Sequence, residues 1–129
     1  MPLSKRQKYR LALTLEAARN SNVKSSQHGC VIFGDRNKVL ATGSNRQVKQ
    51  HSREYCMRTT PADLNDTLLT VHAEETALRQ LKRSDRGRVK CVYVGRLHSS
   101  TEVSTSMSLP CARCQMRMRA LKVPIYYSA

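Results

Sequence analysis

The sequence predicts an α/β fold, three layers in which a mixed sheet lies between helices. Three observations carry this expectation. Apolar patterns of helical and strand type alternate along the chain in the order helix, two strands, helix, strand, helix, strand. Two short glycine-bounded apolar runs, 29–34 and 38–43, flank Asp35-Arg36-Asn37 and read as a β-hairpin. The last two strand–helix–strand steps favour parallel strands joined by right-handed crossovers. With 129 residues, the chain is expected to form one domain over 1–129.

The first helix is expected over Ser4–Ser21. Leu11, Leu15 and Ala18 recur at helical spacing, and Tyr9, Ala12 and Leu13 widen the stripe. Ser4 is a suitable N-cap, and Asn20 to Asn22 stop the helix. The hairpin follows. From Ser44 to Val71 no period is sustained, so this stretch reads as a long irregular segment of the kind that carries function or disorder. A second helix is expected over His72–Arg83, with Ala73, Ala77 and Leu81 on one face, then a strand over Val89–Gly95. Arg96 to Leu109 is rich in Ser and Thr and reads as a loop. A helix over Cys111–Leu121, entered through Pro110, and a strand over Val123–Ser128 complete the pattern.

Charge is the loudest compositional signal. Lys and Arg number 23 against 9 Asp and Glu, a formal net charge of +14. A polyanion partner accounts for such an excess, because each neutralised phosphate releases counterions; a merely solubilising surface is the plainer reading. No apolar run approaches 18 residues, and the basic start MPLSKRQKYR lacks an apolar stretch behind it. Neither a membrane span nor a signal peptide is therefore expected, and the compartment reads as intracellular and reducing. Five cysteines, an odd count with one C-x-x-C pair, favour metal or free thiols over a disulfide framework. Cys30 and Cys91 fall in expected strands and read as core residues.

The chemistry-bearing constellation is His72-Ala73-Glu74, then 35 residues, then Pro110-Cys111-Ala112-Arg113-Cys114. A catalytic zinc needs three protein ligands and one open position for water. His72, Cys111 and Cys114 supply that count. Cys111 and Cys114 lie three apart, on one helix face, in a first turn whose positive end favours thiolate. His72 also stands at a helix start, so two helix N-termini can converge on one metal at the carboxyl ends of strands. Glu74 lies about 200° around the helix from His72, beside the metal face rather than on it. There it can take a proton from the attacking water and pass it to the substrate. A C-x-x-C alone could be a structural zinc knuckle or a redox pair, and an H-x-E alone arises by chance. Together with Pro110 they spell H-x-E…P-C-x-x-C, the signature of zinc nucleobase deaminases.

With these motifs the chain resembles the cytidine/deoxycytidylate deaminase superfamily over nearly its whole length. His28-Gly29-Cys30-Val31-Ile32 is similar to that family's first strand, and Leu40-Ala41-Thr42-Gly43-Ser44-Asn45-Arg46 to its second strand end. Ile125-Tyr126-Tyr127-Ser128 resembles the strand after the second zinc helix. The resemblance implies the cytidine deaminase-like fold, one catalytic Zn2+, and substrate contacts from Asn45, His28, Ala73, Cys30 and Pro110. The alternative reading of Asn45 is a turn residue, and that of His28 a structural histidine. Many relatives continue with another helix and a fifth strand, whereas this sequence stops at Ala129. A C-terminally minimal sheet with an open edge is expected, and homo-oligomers through that edge. Ser108-Leu109 stands before Pro110, without the acidic residue typical of adenosine-acting tRNA relatives. A second zinc at His51 to Cys56 fits poorly, for want of a fourth ligand.

Cytosine in DNA is the expected substrate. Arg46, Lys49, Arg53, Arg58, Arg96 and His98 lie in the two segments expected to rim the pocket, where they would meet phosphates. The alternatives are a free cytidine or deoxycytidylate deaminase of pyrimidine salvage, a tRNA-editing deaminase, and a non-catalytic nucleic-acid-binding module pinned by zinc.

Overall fold

A computed structural model describes residues 4–22, 27–48, 57–59, 69–97, 103–104 and 112–128. Helix α1 spans Lys5–Ala18. Ser4 caps it in a reciprocal box with Gln7: Ser4 Oγ accepts from the Gln7 backbone N–H at 3.1 Å, and Gln7 Oε1 accepts from that of Ser4 at 3.0 Å. Strands β1 (His28–Phe33) and β2 (Val39–Ser44) form the expected antiparallel hairpin. The turn between them places Arg36 and Asn37 both at positive φ, the primed geometry that matches strand twist.

The stretch expected to be irregular departs from its reading. Short strands β3 (Arg46–Val48), β4 (Met57–Thr59) and β5 (Leu69–Val71) pair as an antiparallel sheet in the order β3-β5-β4. Three residues are too few to establish a period of two, and strand pairing supplies what local pattern lacks. Helix α2 (Ala73–Gln80) follows and stops three residues short of the expected Arg83, where a separate 3₁₀ segment, Arg83–Arg88, begins. Strand β6 (Cys91–Arg96) leads toward β7 (Val103–Ser104), a two-residue strand inside the expected Ser/Thr-rich loop. Helix α3 (Ala112–Arg119) and strand β8 (Ile125–Ser128) complete the described chain.

The main sheet has the order β2-β1-β6-β8-β7. β1 is antiparallel to both neighbours and β8 is parallel to β6. Strands β2, β6 and β8 therefore run one way, as expected across the two helices, although β1 separates β2 from β6. Leu13, Ala17, Val31, Phe33, Tyr93 and Tyr126 pack together under α1. On the opposite face Ile32, Ala73, Ala77, Val92 and Met118 form the larger core under α2 and α3. The sheet is thus covered on both faces, in three layers.

A glycine on each face lets a helix approach closely. A Cβ at Gly29 would lie 2.4 Å from the Thr14 carbonyl oxygen of α1. One at Gly43 would lie 2.4 Å from the Ala77 nitrogen and 2.5 Å from the Ala73 carbonyl oxygen of α2. Only hydrogen fits at either crossing. Among the described residues no helix is long and apolar enough to cross a membrane.

Candidate active site

Strand direction decides where the functional side chains gather. β2 ends at Ser44 beside the first turn of α2, because Gly43 packs against Ala73 and Ala77. Helix α3 joins parallel β6 to β8, so it too begins where those strands end. Both helix N-termini therefore face the end of the sheet at which β2, β6 and β8 finish, the usual ligand position in an α/β sheet.

His72 is the N-cap residue of α2, extended at φ −70° and ψ 149° and half-buried. Its carbonyl oxygen accepts from the Thr76 backbone N–H at 3.1 Å and from Thr76 Oγ1 at 3.2 Å, which fixes the first turn. Ala73 is buried, and so is Glu74. Burial pushes the Glu74 carboxyl up from its ordinary value, and a hydrogen bond to its own backbone N–H holds part of that shift back. The Cys30 thiol, fully buried on β1, is pushed well up by burial and then by the Glu74 charge. Cys30 stands opposite Gly43 in the hairpin ladder and packs with Ala73 and Ala77, beneath the first turn of α2.

His28 and Asn45 meet at the same end. The Asn45 side-chain oxygen accepts from the His28 backbone N–H at 2.9 Å, and the Asn45 N–H donates to the His28 carbonyl at 3.2 Å. Ser21, just beyond α1, donates from Oγ to the Asn45 carbonyl at 2.7 Å. Ser21 carried no signal in the sequence beyond ending a helix, yet it anchors this corner. Arg96 stands opposite His28 in the β1–β6 ladder, and Arg46 opposite Val71, the residue before His72; both are exposed.

The structure thus brings together His28, Cys30, Asn45, Arg46, His72, Ala73, Glu74 and Arg96. Cys111 and Pro110 lie outside the described residues, as do Lys49, Arg53, His98 and the segment His51 to Cys56. Cys114 belongs to the first turn of α3 and Arg58 to β4, but their side chains lie outside the described residues. The donor chemistry fits zinc: an imidazole at the head of one helix and, in the sequence, Cys111 just before and Cys114 within the first turn of another helix that starts at the same end.

A second contact ties these helices. Glu75, fully buried on α2, accepts from Arg117 on α3 and from Arg79 Nε at 3.2 Å. Sequence pattern did not single it out, since glutamate on a short helix ordinarily faces water.

The model of the cytidine and deoxycytidylate deaminase zinc-binding region matches residues 4–128. The chain belongs to this family. No curated protein matches it. Among solved structures, this deaminase is similar to the cytidine deaminase of Mycobacterium tuberculosis, at 17% identity and a TM-score of 0.55, over 94% of this chain and 82% of that one. A point mutant of that enzyme superposes with a TM-score of 0.56 at 16% identity, over 99% and 87%. The cytidine deaminase of Burkholderia pseudomallei gives 0.50 at 16% identity, over 90% and 75%. The deaminase is a zinc enzyme that hydrolyses the amino group of cytosine or cytidine. The expectation of a non-catalytic module pinned by zinc falls away.

Proposed function

We propose that this deaminase acts on cytosine in a polynucleotide, DNA first, with His72, Cys111 and Cys114 as zinc ligands and Glu74 as the proton carrier. The observation behind the substrate is charge: +14 overall, with Arg46 and Arg96 exposed at the site's end of the sheet. Bound zinc would supply a water acidic enough to attack at neutral pH. Glu74 takes the proton of the attacking water, passes it to the ring nitrogen, and delivers the second to the departing amine, so that cytosine and water become uracil and ammonia. Burial suits it to this work, because a raised carboxyl holds and releases a proton near neutral pH more readily than an exposed one. His28 lines the base pocket, with the buried Ala73 and Cys30 behind it. Asn45 serves the site through its bonded corner with His28.

A second reading is a free cytidine or deoxycytidylate deaminase. The solved structures similar to this chain are cytidine deaminases, which supports it. Deamination of cytidine, deoxycytidylate, and single-stranded and duplex oligonucleotides at rising salt separates the two. The polynucleotide reading expects uracil in oligonucleotides, with a rate that falls steeply as salt rises. Activity on deoxycytidylate with none on oligomers overturns it in favour of salvage, and activity confined to tRNA would move the substrate to RNA.

A further inference from the structure

The described cations are not concentrated around the proposed site. They crowd the other end of the sheet. β1 runs from His28 at the site to Phe33 at the far end, about 17 Å away. Three segments meet at that far end. The Lys90 N–H donates to the Phe33 carbonyl at 2.8 Å, and Lys90 Nζ lies 3.7 Å from Asp35 Oδ1. These contacts join the 82–90 segment to the hairpin turn. Arg10 Nε donates to Asn37 Oδ1 at 2.7 Å, which joins α1 to the same turn.

Residues 5–8, 35–38 and 82–90 together carry ten Lys and Arg against two acids, Asp35 and Asp85. All ten are exposed. Both acids already lie near a cation, Asp85 at 3.9 Å from Arg88. Two of these placements work against folding. Lys5, Arg6 and Lys8 occupy the start of α1, which has no acid in its first turn, where the helix dipole disfavours cations. Arg36 takes φ 55°, a left-handed conformation that glycine or asparagine adopts more easily. Charge kept where the local fold disfavours it points to a partner outside the chain. Tyr9 is 53% exposed beside Lys8 and offers a ring on which a base can stack. A wide apolar face of the kind that enters a lipid surface is missing from the described part of α1, whose exposed side is mainly charged.

We infer that this far end is a docking surface for a polynucleotide backbone, separate from the deamination site. The inference goes beyond the substrate proposed above. A free-cytidine deaminase with this surface would bind nucleic acid without deaminating it.

The test measures binding of the zinc-loaded protein to cytosine-free probes: a thymidine 30-mer, a uridine RNA 30-mer and a dA·dT duplex, across a salt series. Such probes report docking whichever substrate the site takes. We expect Arg83→Glu/Arg86→Glu to weaken duplex binding on the order of tenfold and to make the log Kd against log salt slope shallower by about 2. The neutral pair Arg83→Gln/Arg86→Gln should show the same direction with a smaller loss, and cytidine turnover by both variants should match the parent. Arg46→Glu/Arg96→Glu should weaken binding of these probes less than the far-end pair does. The inference is overturned if the parent binds none of the probes, if the far-end variants bind like the parent, or if only the Arg46/Arg96 variant loses affinity. Binding to phosphatidylserine vesicles without binding to any 30-mer or duplex would overturn it in favour of a lipid surface. The DNA and RNA arms decide which polynucleotide is preferred.

Discussion

Arg117 of α3 donates to the carboxylate of Glu75 on α2, and Glu75 is fully buried between them. The two helices that carry the zinc motifs are therefore joined by an ion pair three residues after each of His72 and Cys114. Arg79 completes the neutralisation from one turn further along α2. Glu75→Gln keeps the shape and removes the charge, and should cost about 1–3 kcal/mol in urea unfolding of the zinc-loaded protein. Arg117→Met should cost a similar amount. The double variant should lose less than the sum, because the pair acts as one unit. Strict additivity would show that the pair does not join the helices energetically.

Gly43→Ala tests the close approach of α2 to β2. Its added methyl would meet the Ala77 nitrogen at 2.4 Å and the Ala73 carbonyl oxygen at 2.5 Å, both backbone atoms that cannot swing away. The helix must move off the strand, at an expected cost of about 1–3 kcal/mol with a lower kcat. Gly87→Ala is the control: nothing lies within 4 Å of a Cβ there, and stability should stay within about 0.5 kcal/mol. Thermal melts and turnover of the two variants, measured side by side, check this.

Glu74→Gln should keep the fold and one equivalent of zinc while lowering kcat by about 10²–10⁴-fold, the usual reach of a positioned proton carrier. Metal content by elemental analysis and turnover on cytidine give the two readouts. Near-parental turnover would remove Glu74 from the proposed proton route. Cys114→Ala should fail differently, losing zinc and melting temperature together, since metal binding and folding are coupled.

Alkaline pH should destabilise the α1 face. Burial pushes the Cys91 thiol up from its ordinary 9.0, and the Arg10 charge holds part of that back. Burial also pushes the Tyr93 phenol up from 10.0, opposed by a hydrogen bond from Arg10 and then by its charge. Both groups hold their protons longer folded than unfolded. The stability they contribute is complete below their ordinary values and is lost as pH climbs toward the raised ones. Unfolding free energy should therefore fall as pH rises above about 9. Tyr93→Phe removes the buried hydroxyl and should flatten the decline.

Residue type and spacing made the chemistry legible before the fold. His72, Glu74, Cys111 and Cys114 stand in a pattern that few other roles require, and the helix boundaries near them follow from caps and periodicity. Glu75 was not legible, because its meaning lies in Arg117, 42 positions away, and only packing makes them neighbours. Strands β3, β4 and β5 were missed because three residues cannot display alternation; they exist through pairing with one another. Resemblance alone pointed to Asn45 as a substrate contact. Its side-chain oxygen holds the His28 backbone, a tertiary role no local pattern expresses. The far-end cations were visible as net charge, but their address required the topology.

Cys30 lies on β1, opposite Gly43 of β2, with none of its surface open to solvent, under the first turn of α2. An alkylating reagent can reach its sulfur only when α2 lifts from β2, and then only as thiolate. The rate at which a peptide containing Cys30 gains the label is thus a clock on the opening of this helix. Anything that clasps α2 to its strand should slow that clock, whether or not the enzyme is turning over.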